Sequence, residues 1–246
     1  MAYSLSGSCC FTGFLHDGEL KGEMKQINNI RAYIAHPEGD EKPNKAVILL
    51  SDIFGIFPNS QLVADAFAAN GYLAVLPDLF NGDQVNIGDY DAKTTIDVGA
   101  WLSRHTVNDV APIVEATIEH LRTVLHVQKV AAAGYCFGGK YVVRYLKVGQ
   151  LDSGYIAHPS FVTKEESGAI QRPLSISAAE HDAIFTTANR HASEETLIGT
   201  GQEFQNNLFS GVSHRFAIRG DLSQPRIRFS KERAFAQAVA WFNHTL

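Results

Sequence analysis

The amino-acid sequence predicts an α/β fold, with a mostly parallel β-sheet and helices on both of its faces. Short apolar runs alternate along the chain with longer segments in which apolar residues recur at helical spacing. This alternation is typical of βα units, whose successive strands are parallel. No sequence period repeats and no Pro-, Ser- or Gly-rich tract divides the chain, so residues 1–246 are expected to form a single domain.

The first half of the chain opens with strands. Residues 30–35 are a predicted strand, and residues 46–51 are a second, because a continuous apolar run is typical of a strand buried on both faces. Residues 59–70 form a predicted helix that ends where Asn70 precedes a glycine, and residues 72–76 form the next strand. The apolar residues that share one face of this helix are Leu62, Val63, Ala66 and Phe67.

Two helices are predicted in the middle of the chain, at residues 95–105 and 109–125. The second is expected to begin with Asn108 or Asp109 as its N-cap and to hold Pro112 in its first turn. The remaining predicted strands are residues 129–134, 154–157, 174–178 and 203–208, and the remaining helices are residues 138–147, 189–198 and 231–243. In such sheets ligands bind at the carboxyl ends of the strands, so the chemistry is expected there.

Composition and charge exclude several classes of function. Hydrophobic residues make up 45% of the chain and charged residues 19%, which is ordinary for a folded domain. The 21 Lys and Arg against 26 Asp and Glu give a net charge of −5 without any basic run, so no nucleic-acid partner is expected. The longest apolar stretches fall far short of the ~20 residues that span a bilayer, so no membrane span is predicted.

The N-terminus and the cysteines indicate an intracellular protein. The first ten residues, MAYSLSGSCC, hold no Lys or Arg and no sustained apolar core, so a secretory signal is not predicted and a cytoplasmic location is expected. The three cysteines, Cys9, Cys10 and Cys136, are too few for a disulfide framework in a chain of this length. An isolated cysteine in an intracellular enzyme is a candidate nucleophile, which singles out Cys136.

Cys136 lies in a motif that holds a nucleophile between a strand and a helix. Gly134-Tyr-Cys136-Phe-Gly138-Gly139 follows an apolar strand, as the motif G-x-S-x-G does in α/β-hydrolases, with cysteine in the place of serine. The glycines let strand and helix pass closely, and the helix N-terminus favours the thiolate. The Phe137 amide can donate to a developing oxyanion. The alternative is an ordinary strand-to-helix turn with Cys136 as a small buried residue.

An acid and a base follow Cys136 in the order that α/β-hydrolases use. Asp182 lies 46 residues after Cys136, beyond the predicted strand 174–178, and His214 lies 32 residues further on. Glu180 competes for the role of the acid, but Asp182 is closer to the following helix and is favoured. Order and context together favour a nucleophile over an ordinary turn.

Other histidines compete for the role of base or suggest a metal site. His158 follows a predicted strand and is a candidate for lining the pocket, although a structural role is the simpler interpretation. His181 and His191 lie near Asp182, but no H-x-x-x-H or C-x-x-C spacing supports a metal site, and none is predicted. Six histidines in termini, turns or helix surfaces are interpreted as solvated or structural: His16, His36, His105, His120, His126 and His244.

Four separated segments and one dipeptide carry a family pattern. They are Ser51-Asp-Ile-Phe-Gly55, Pro77-Asp-Leu-Phe80, Gly134-Tyr-Cys-Phe-Gly-Gly139, Gly211-Val-Ser-His-Arg-Phe216 and His181-Asp182. In this order they resemble the dienelactone hydrolase family over nearly the whole chain. The resemblance implies an α/β-hydrolase fold without a large lid, no cofactor, and hydrolysis of lactones or esters such as carboxymethylenebutenolide. The N-terminal segment with Cys9-Cys10 and His16 resembles the eukaryotic, particularly the fungal, branch of the family.

Position by position, the resemblance implies a triad of Cys136, Asp182 and His214, with the amides of Ile53 and Phe137 as oxyanion donors. The expected mechanism is acyl transfer through an acyl-thioester, which water activated at His214 then hydrolyses. A thioesterase or another acyl-transferring enzyme would use the same triad. The expected partner is a small-molecule lactone or ester, bound by a monomer or a homodimer.

Two positions depart from the bacterial pattern of the family. Asp52 stands where those enzymes carry a glutamate that pairs with the cysteine and helps to control its ionisation. As a negative charge beside the thiol, Asp52 would keep the resting cysteine protonated; the alternative is that it caps the turn near Gly55. Arg215 stands where a small residue is usual, and with Arg219 it is a candidate for holding an anionic group of the substrate. A solvated loop arginine is the alternative there.

Overall fold

The computed structural model describes residues 16–39, 43–86 and 97–246. The strands in these ranges are β1 Glu23–Ile27, β2 Ile30–Ala35, β3 Lys45–Leu50, β4 Leu73–Pro77, β5 Lys129–Tyr135, β6 Ser153–Ala157, β7 Leu174–His181 and β8 Phe204–Ser213. The helices are α1 Pro58–Ala69, α2 Val98–Arg104, α3 Val107–Glu119, α4 Phe137–Tyr145, α5 Lys164–Gly168, α6 Thr187–Thr200, α7 Phe216–Arg219 and α8 Pro225–Thr245.

The strands form one eight-stranded sheet in the order β1-β2-β4-β3-β5-β6-β7-β8. All pairs from β4 to β8 are parallel, whereas β2 runs antiparallel to both β1 and β4. Helices α1 and α8 pack against the sheet, as do α3 and α4. The structure confirms the predicted α/β fold class, a mostly parallel sheet with helices on both faces.

The central strands were predictable because burial on both faces makes them uniformly apolar. Every residue of β4 is buried, and so are five of the six residues of β3. Strand β1 was not predicted, because its sequence EMKQI exposes four of its five residues at the edge of the sheet and carries no apolar pattern. The short helices α5 and α7 were also not predicted.

The start of α3 differs from the prediction. Thr106 is its N-cap, and the Thr106 amide donates to the Asp109 carboxylate at 2.9 Å, so neither Asn108 nor Asp109 is the cap. Pro112 consequently lies beyond the first turn. The helix ends in a π-helical turn at His120–Val124 instead of continuing as an α-helix to residue 125.

Strands β7 and β8 are longer than predicted, which matters for the site. Their pairing extends to His181 opposite Ser213, with an irregularity between Ala179 and His181. Because of this extension, Asp182 and His214 both lie at the carboxyl ends of these neighbouring strands. In the described part of the chain no helix is long and apolar enough to cross a bilayer. Cys9 and Cys10, and the first two residues of the predicted helix 95–105, lie outside the described residues.

Candidate active site

Cys136 lies on a strained turn between β5 and α4, as the motif predicts. Its backbone has φ 51° and ψ −110°, a conformation that costs a non-glycine residue on the order of 1–3 kcal/mol. The glycines around it are required by close approach, since a Cβ on Gly138 would collide with the Leu50 carbonyl. A Cβ on Gly134 would lie 2.8 Å from the Gly138 carbonyl oxygen. The turn therefore places the buried Cys136 side chain against its neighbours at the carboxyl end of the sheet.

The predicted oxyanion donors lie on the two segments that meet beside Cys136. Phe137 is the first residue of α4, so its amide has no acceptor within the helix. Ile53 lies in the turn after β3, and its carbonyl accepts from the Val85 amide at 2.9 Å. The same turn is tied to α4 because the Gly138 amide donates to the Ser51 carbonyl at 3.0 Å. These contacts hold the turn after β3 against the start of α4, and the role of the two amides as oxyanion donors stays a prediction.

Asp182 and His214 form a buried pair. His214 Nδ1 lies 2.8 Å from Asp182 Oδ2, and both side chains are almost entirely buried. The other carboxylate oxygen accepts the amides of Ile184 at 2.8 Å and Phe185 at 2.9 Å, which fixes its orientation. Glu180, the competing acid, is half-exposed and instead accepts the Gly211 amide at 2.6 Å. The geometry places Asp182, and not Glu180, against the imidazole.

The charges of this pair are coupled to Cys136. Burial disfavours a charge on His214, but the Cys136 thiolate and the Asp182 carboxylate outweigh it and raise the pKa of His214 to about 10. Burial likewise opposes the charge of Asp182, yet the hydrogen bond to His214 holds the pKa of that carboxyl below its usual value. His214 is thus coupled to both the Asp182 carboxylate and the Cys136 sulfur, which joins the three residues of the predicted triad in one cluster.

Asp52 caps the turn after β3 and forms a buried ion pair, whereas its contact with the Cys136 thiol stays a prediction. Its Oδ1 accepts the Phe54 amide at 3.0 Å, which caps the turn after β3. Its Oδ2 accepts the Arg219 Nε at 2.6 Å, and neither side chain of this ion pair is exposed. Burial and the nearby Cys136 sulfur raise the pKa of Asp52, whereas the Arg219 guanidinium lowers it.

Arg219 is placed differently from the prediction. Its guanidinium is fully buried against Asp52 and stacks over the Phe54 ring at 4.5 Å from the centroid. This environment argues against a direct contact with an anionic group of the substrate. Arg215, at φ 85°, directly follows His214 and lines a cavity of about 270 Å³ with Ser213 and Asp221. Its substrate role stays a prediction.

His158 lies behind His214. The centroids of the two imidazole rings are 4.9 Å apart in an edge-on arrangement, and His158 is fully buried. Neither of its ring nitrogens has a hydrogen-bond partner among the described residues. Burial lowers the pKa of His158 well below its ordinary value, and the charges of His214 and Arg219 add to this effect. Its surroundings therefore favour the neutral imidazole, and the contact of His158 with substrate stays a prediction.

Ser160 is a site residue that the sequence analysis did not find. Its Oγ lies 3.3 Å from Cys136 Sγ, and both residues are buried. The one available signal was its position just after β6, the strand beside β5, because parallel neighbours end at the same edge of the sheet.

His181 and His191, the histidines considered for a metal site, contact different neighbours. His181 is 64% exposed and His191 contacts Arg190 at 3.3 Å. Within the ranges that the structure covers, no group of three His, Cys, Asp or Glu side chains is arranged to hold a metal ion.

Comparison with known proteins gives the family. A family model described as the dienelactone hydrolase family matches residues 30–246. The protein named Hydrolase pyvD, from Aspergillus violaceofuscus, is 47% identical over 239 residues and is covered to 96%, with 97% of this chain aligned. Hydrolase tropI, from Talaromyces stipitatus, is 43% identical over 252 residues, with 99% of this chain and 98% of the relative covered.

Solved structures agree in fold. A putative dienelactone hydrolase from Klebsiella pneumoniae superposes with a TM-score of 0.73 at 18% identity, covering 90% of this chain and 98% of the other. At this identity the likeness concerns the fold alone. The family model and the fungal relatives together carry the assignment: the chain belongs to the dienelactone hydrolase family and is a hydrolase.

Proposed function

We propose that the protein hydrolyses a carboxylic ester or lactone by acyl transfer to Cys136, with His214 as the base and Asp182 as the acid that orients it. The observation that carries this proposal is the buried His214–Asp182 pair, with its 2.8 Å hydrogen bond, coupled to a cysteine on a strained elbow. A structural turn would not require a buried histidine that is paired with a carboxylate and coupled to the sulfur.

The first half of the reaction forms the thioester. The Cys136 thiolate attacks the carbonyl carbon, and the amides of Ile53 and Phe137 receive the oxyanion. The tetrahedral intermediate collapses as the His214 imidazolium donates its proton to the departing alkoxide or enolate oxygen. Asp182 stabilises the imidazolium and holds its tautomer. Amides are poorer substrates in this scheme, because an amine leaves less readily than an alkoxide.

The second half releases the acid. Neutral His214 removes a proton from water, whose oxygen attacks the thioester carbonyl, and the C–S bond then breaks to restore the thiolate. In this scheme Asp52 controls the resting thiol, because its buried carboxylate opposes the negative charge of the sulfur. Arg219 partly offsets that carboxylate through the 2.6 Å ion pair.

The substrate is proposed to be a small-molecule lactone or ester. Arg215 is the cation next to His214 that we propose for any anionic group, since Arg219 is engaged with Asp52. We further propose a cytoplasmic enzyme that works as a monomer or homodimer, without a cofactor and without a nucleic-acid or membrane partner.

A substrate panel tests the proposal. Lactones, aryl esters and thioesters are assayed with the wild type and Cys136→Ala, and we expect the variant to lose several orders of magnitude in kcat/KM while its melting curve stays close to that of the wild type. Cys9→Ala and Cys10→Ala are the controls and should keep most of the activity. Residual activity above about a tenth of wild type in Cys136→Ala would refute Cys136 as the nucleophile. A preference for thioesters over lactones would assign the same triad to a thioesterase.

A further inference from the structure

The segment that follows β6 folds over the nucleophile elbow. The Cys136 amide donates to the Ala157 carbonyl at 3.2 Å, and the Ser160 amide donates to the Cys136 carbonyl at 2.9 Å. His158 and Phe161, on either side, adopt φ values of 38° and 62°, which are strained for residues other than glycine. The chain thus accepts local strain to hold Ser160 against Cys136.

The hydroxyl of Ser160 is directed at the nucleophile. Its Oγ lies 3.3 Å from Cys136 Sγ, and neither residue exposes more than 2% of its surface. Among the residues that the structure describes, this is the hydroxyl's single hydrogen bond. A buried hydroxyl without a hydrogen-bond partner destabilises the folded state. The contact between Ser160 and the sulfur therefore satisfies the hydroxyl as well as the sulfur.

We propose that Ser160 hydrogen-bonds the Cys136 sulfur during turnover and stabilises the thiolate, above all when it leaves the acyl-thioester. This proposal rests on Cys136 being the nucleophile of the proposed function. A serine hydroxyl accepts from a thiol and donates to a thiolate, and the second bond is the stronger because the acceptor is charged. The Ser160 hydroxyl is a neutral donor, so it keeps this ability while the proton of His214 moves between substrate and water.

The two halves of the reaction should depend on Ser160 unequally. In the first half the hydrogen bond favours the thiolate but lowers its nucleophilicity, so the two effects partly cancel. In the second half water forms a new C–O bond and gives its proton to His214, while the C–S bond breaks and its electron pair stays on sulfur. The Ser160 hydroxyl then donates a hydrogen bond to the sulfur as negative charge develops on it, which lowers the barrier to thioester hydrolysis.

The first experiment measures the thiol. Iodoacetamide alkylation of Cys136 is followed against pH by mass spectrometry of its peptide in wild type, Ser160→Ala and Ser160→Thr. The midpoint of the alkylation rate against pH is compared between the proteins. We expect it to rise by about one pH unit in Ser160→Ala, which corresponds to the loss of one charge-assisted hydrogen bond to the thiolate. In Ser160→Thr it should stay at the wild-type value. A midpoint of Ser160→Ala equal to that of the wild type would overturn the proposal.

Ser51→Ala is the matched control. Ser51 is also buried beside the elbow, where its carbonyl accepts from Gly138, but its hydroxyl has no partner in the part of the chain that is described. We expect its alkylation midpoint to stay at the wild-type value. An equal shift in both serine variants would mean that any loss of a buried hydroxyl moves the midpoint, and it would count against the proposal.

The second experiment separates the two half-reactions. With a chromogenic ester, Ser160→Ala should form the acyl-enzyme at nearly the wild-type rate and hydrolyse it about tenfold more slowly, so that mass spectrometry shows the acylated Cys136 peptide during turnover. An equal loss in both phases would overturn the leaving-group role. If Cys136→Ala kept turnover, the proposed function would fail, whereas the alkylation shift would still decide whether Ser160 bonds the sulfur.

Discussion

The two carboxylate oxygens of Asp182 have different partners, the imidazole of His214 and the backbone. One oxygen faces His214 Nδ1, and the other accepts the amides of Ile184 and Phe185. In Asp182→Asn the carbonyl oxygen would keep the two amides, which places the NH₂ group opposite Nδ1 and forces the wrong tautomer. We expect kcat to fall by roughly 10²–10⁴, by analogy with the serine triad, with little loss of stability.

Glu180→Gln provides the control for this substitution. Glu180 is half-exposed and lies 3.9 Å from His181 Nε2; it accepts the Gly211 amide, a role that glutamine retains. Steady-state kinetics of the two variants should differ by at least about tenfold, Glu180→Gln being the more active. The reverse order would show that the acid is wrongly assigned.

Asp52 and Asp78 make the same local contacts in different surroundings. Each carboxylate accepts the amide two residues further on, at 3.0 Å from Phe54 and 3.1 Å from Phe80, and each pairs with an arginine. Asp52→Asn should speed alkylation of Cys136 near neutral pH by removing a negative charge from its vicinity. It should also lower the free energy of unfolding by about 3 kcal/mol, because it leaves a buried guanidinium without its anion.

The substitution Asp78→Asn isolates the capping contribution. Its arginine, Arg31, is half-exposed, so the expected loss of stability is only about 1 kcal/mol. The alkylation profile of Cys136 should not move. A lowered melting point in Asp52→Asn together with an unchanged alkylation profile would leave Asp52 as a cap and remove it from thiol control.

Sequence reasoning located the residues that a local pattern marks. Cys136 is flanked by glycines that the turn requires, and Asp182 and His214 follow strands in a fixed order. Arg219 could not be placed in this way, because its partner Asp52 is 167 residues distant and nothing near Arg219 signals an ion pair. The contact of Ser160 likewise arises only when β5 and β6 pair.

Strands and helices were predicted where their burial produces an apolar pattern in the sequence. The seven predicted strands are all present in the described residues; most carry an apolar run, whereas residues 203–208 are only weakly patterned. The extension of β7 was missed, since its last two residues, Glu180 and His181, are exposed and polar. The irregularity between Ala179 and His181, just before Asp182, could not be predicted from the sequence.

The contact between β3 and α4 gives a prediction at this scale. Gly138→Ala would press a Cβ onto the Leu50 backbone, which cannot yield without opening the sheet. We expect a loss of about 3 kcal/mol in the free energy of unfolding, the upper end of overpacking effects, together with reduced activity. Gly199→Ala in α6, which meets nothing within 4 Å, should instead be neutral or stabilising by up to about 1 kcal/mol. Chemical unfolding curves that rank the two variants equally would contradict this.

At the scale of the whole molecule, stability depends on pH through the buried site. Because the pKa of His214 is raised to about 10, its contribution is complete below the ordinary value of 6.5 and is lost as the pH rises through 10. His158 has the opposite effect on stability. Its pKa is lowered, so below pH 6.5 the unfolded chain binds a proton that the folded chain excludes, and the folded state becomes less stable. The pKa of Asp182 is also lowered, so its contribution disappears at still lower pH.

We therefore expect the melting temperature to be highest near pH 6.5 and to fall on both sides. Calorimetry across this range should show a flatter alkaline limb for His214→Asn and a flatter acid limb for His158→Phe. A wild-type melting temperature that rises steadily from pH 6.5 to 10 would contradict the charge arrangement described for the site.

The three proposed triad residues are contributed by the ends of β5, β7 and β8, separated along the chain by 46 and 32 residues. Cys136 therefore meets His214 only after the last strands have joined the sheet, long after the local turn around Cys136 can form. The rate at which an electrophile labels this thiol during refolding would consequently serve as a clock for sheet completion. Such a clock records the moment at which the chain becomes chemically competent, which circular dichroism, reporting only helix and strand content, does not register.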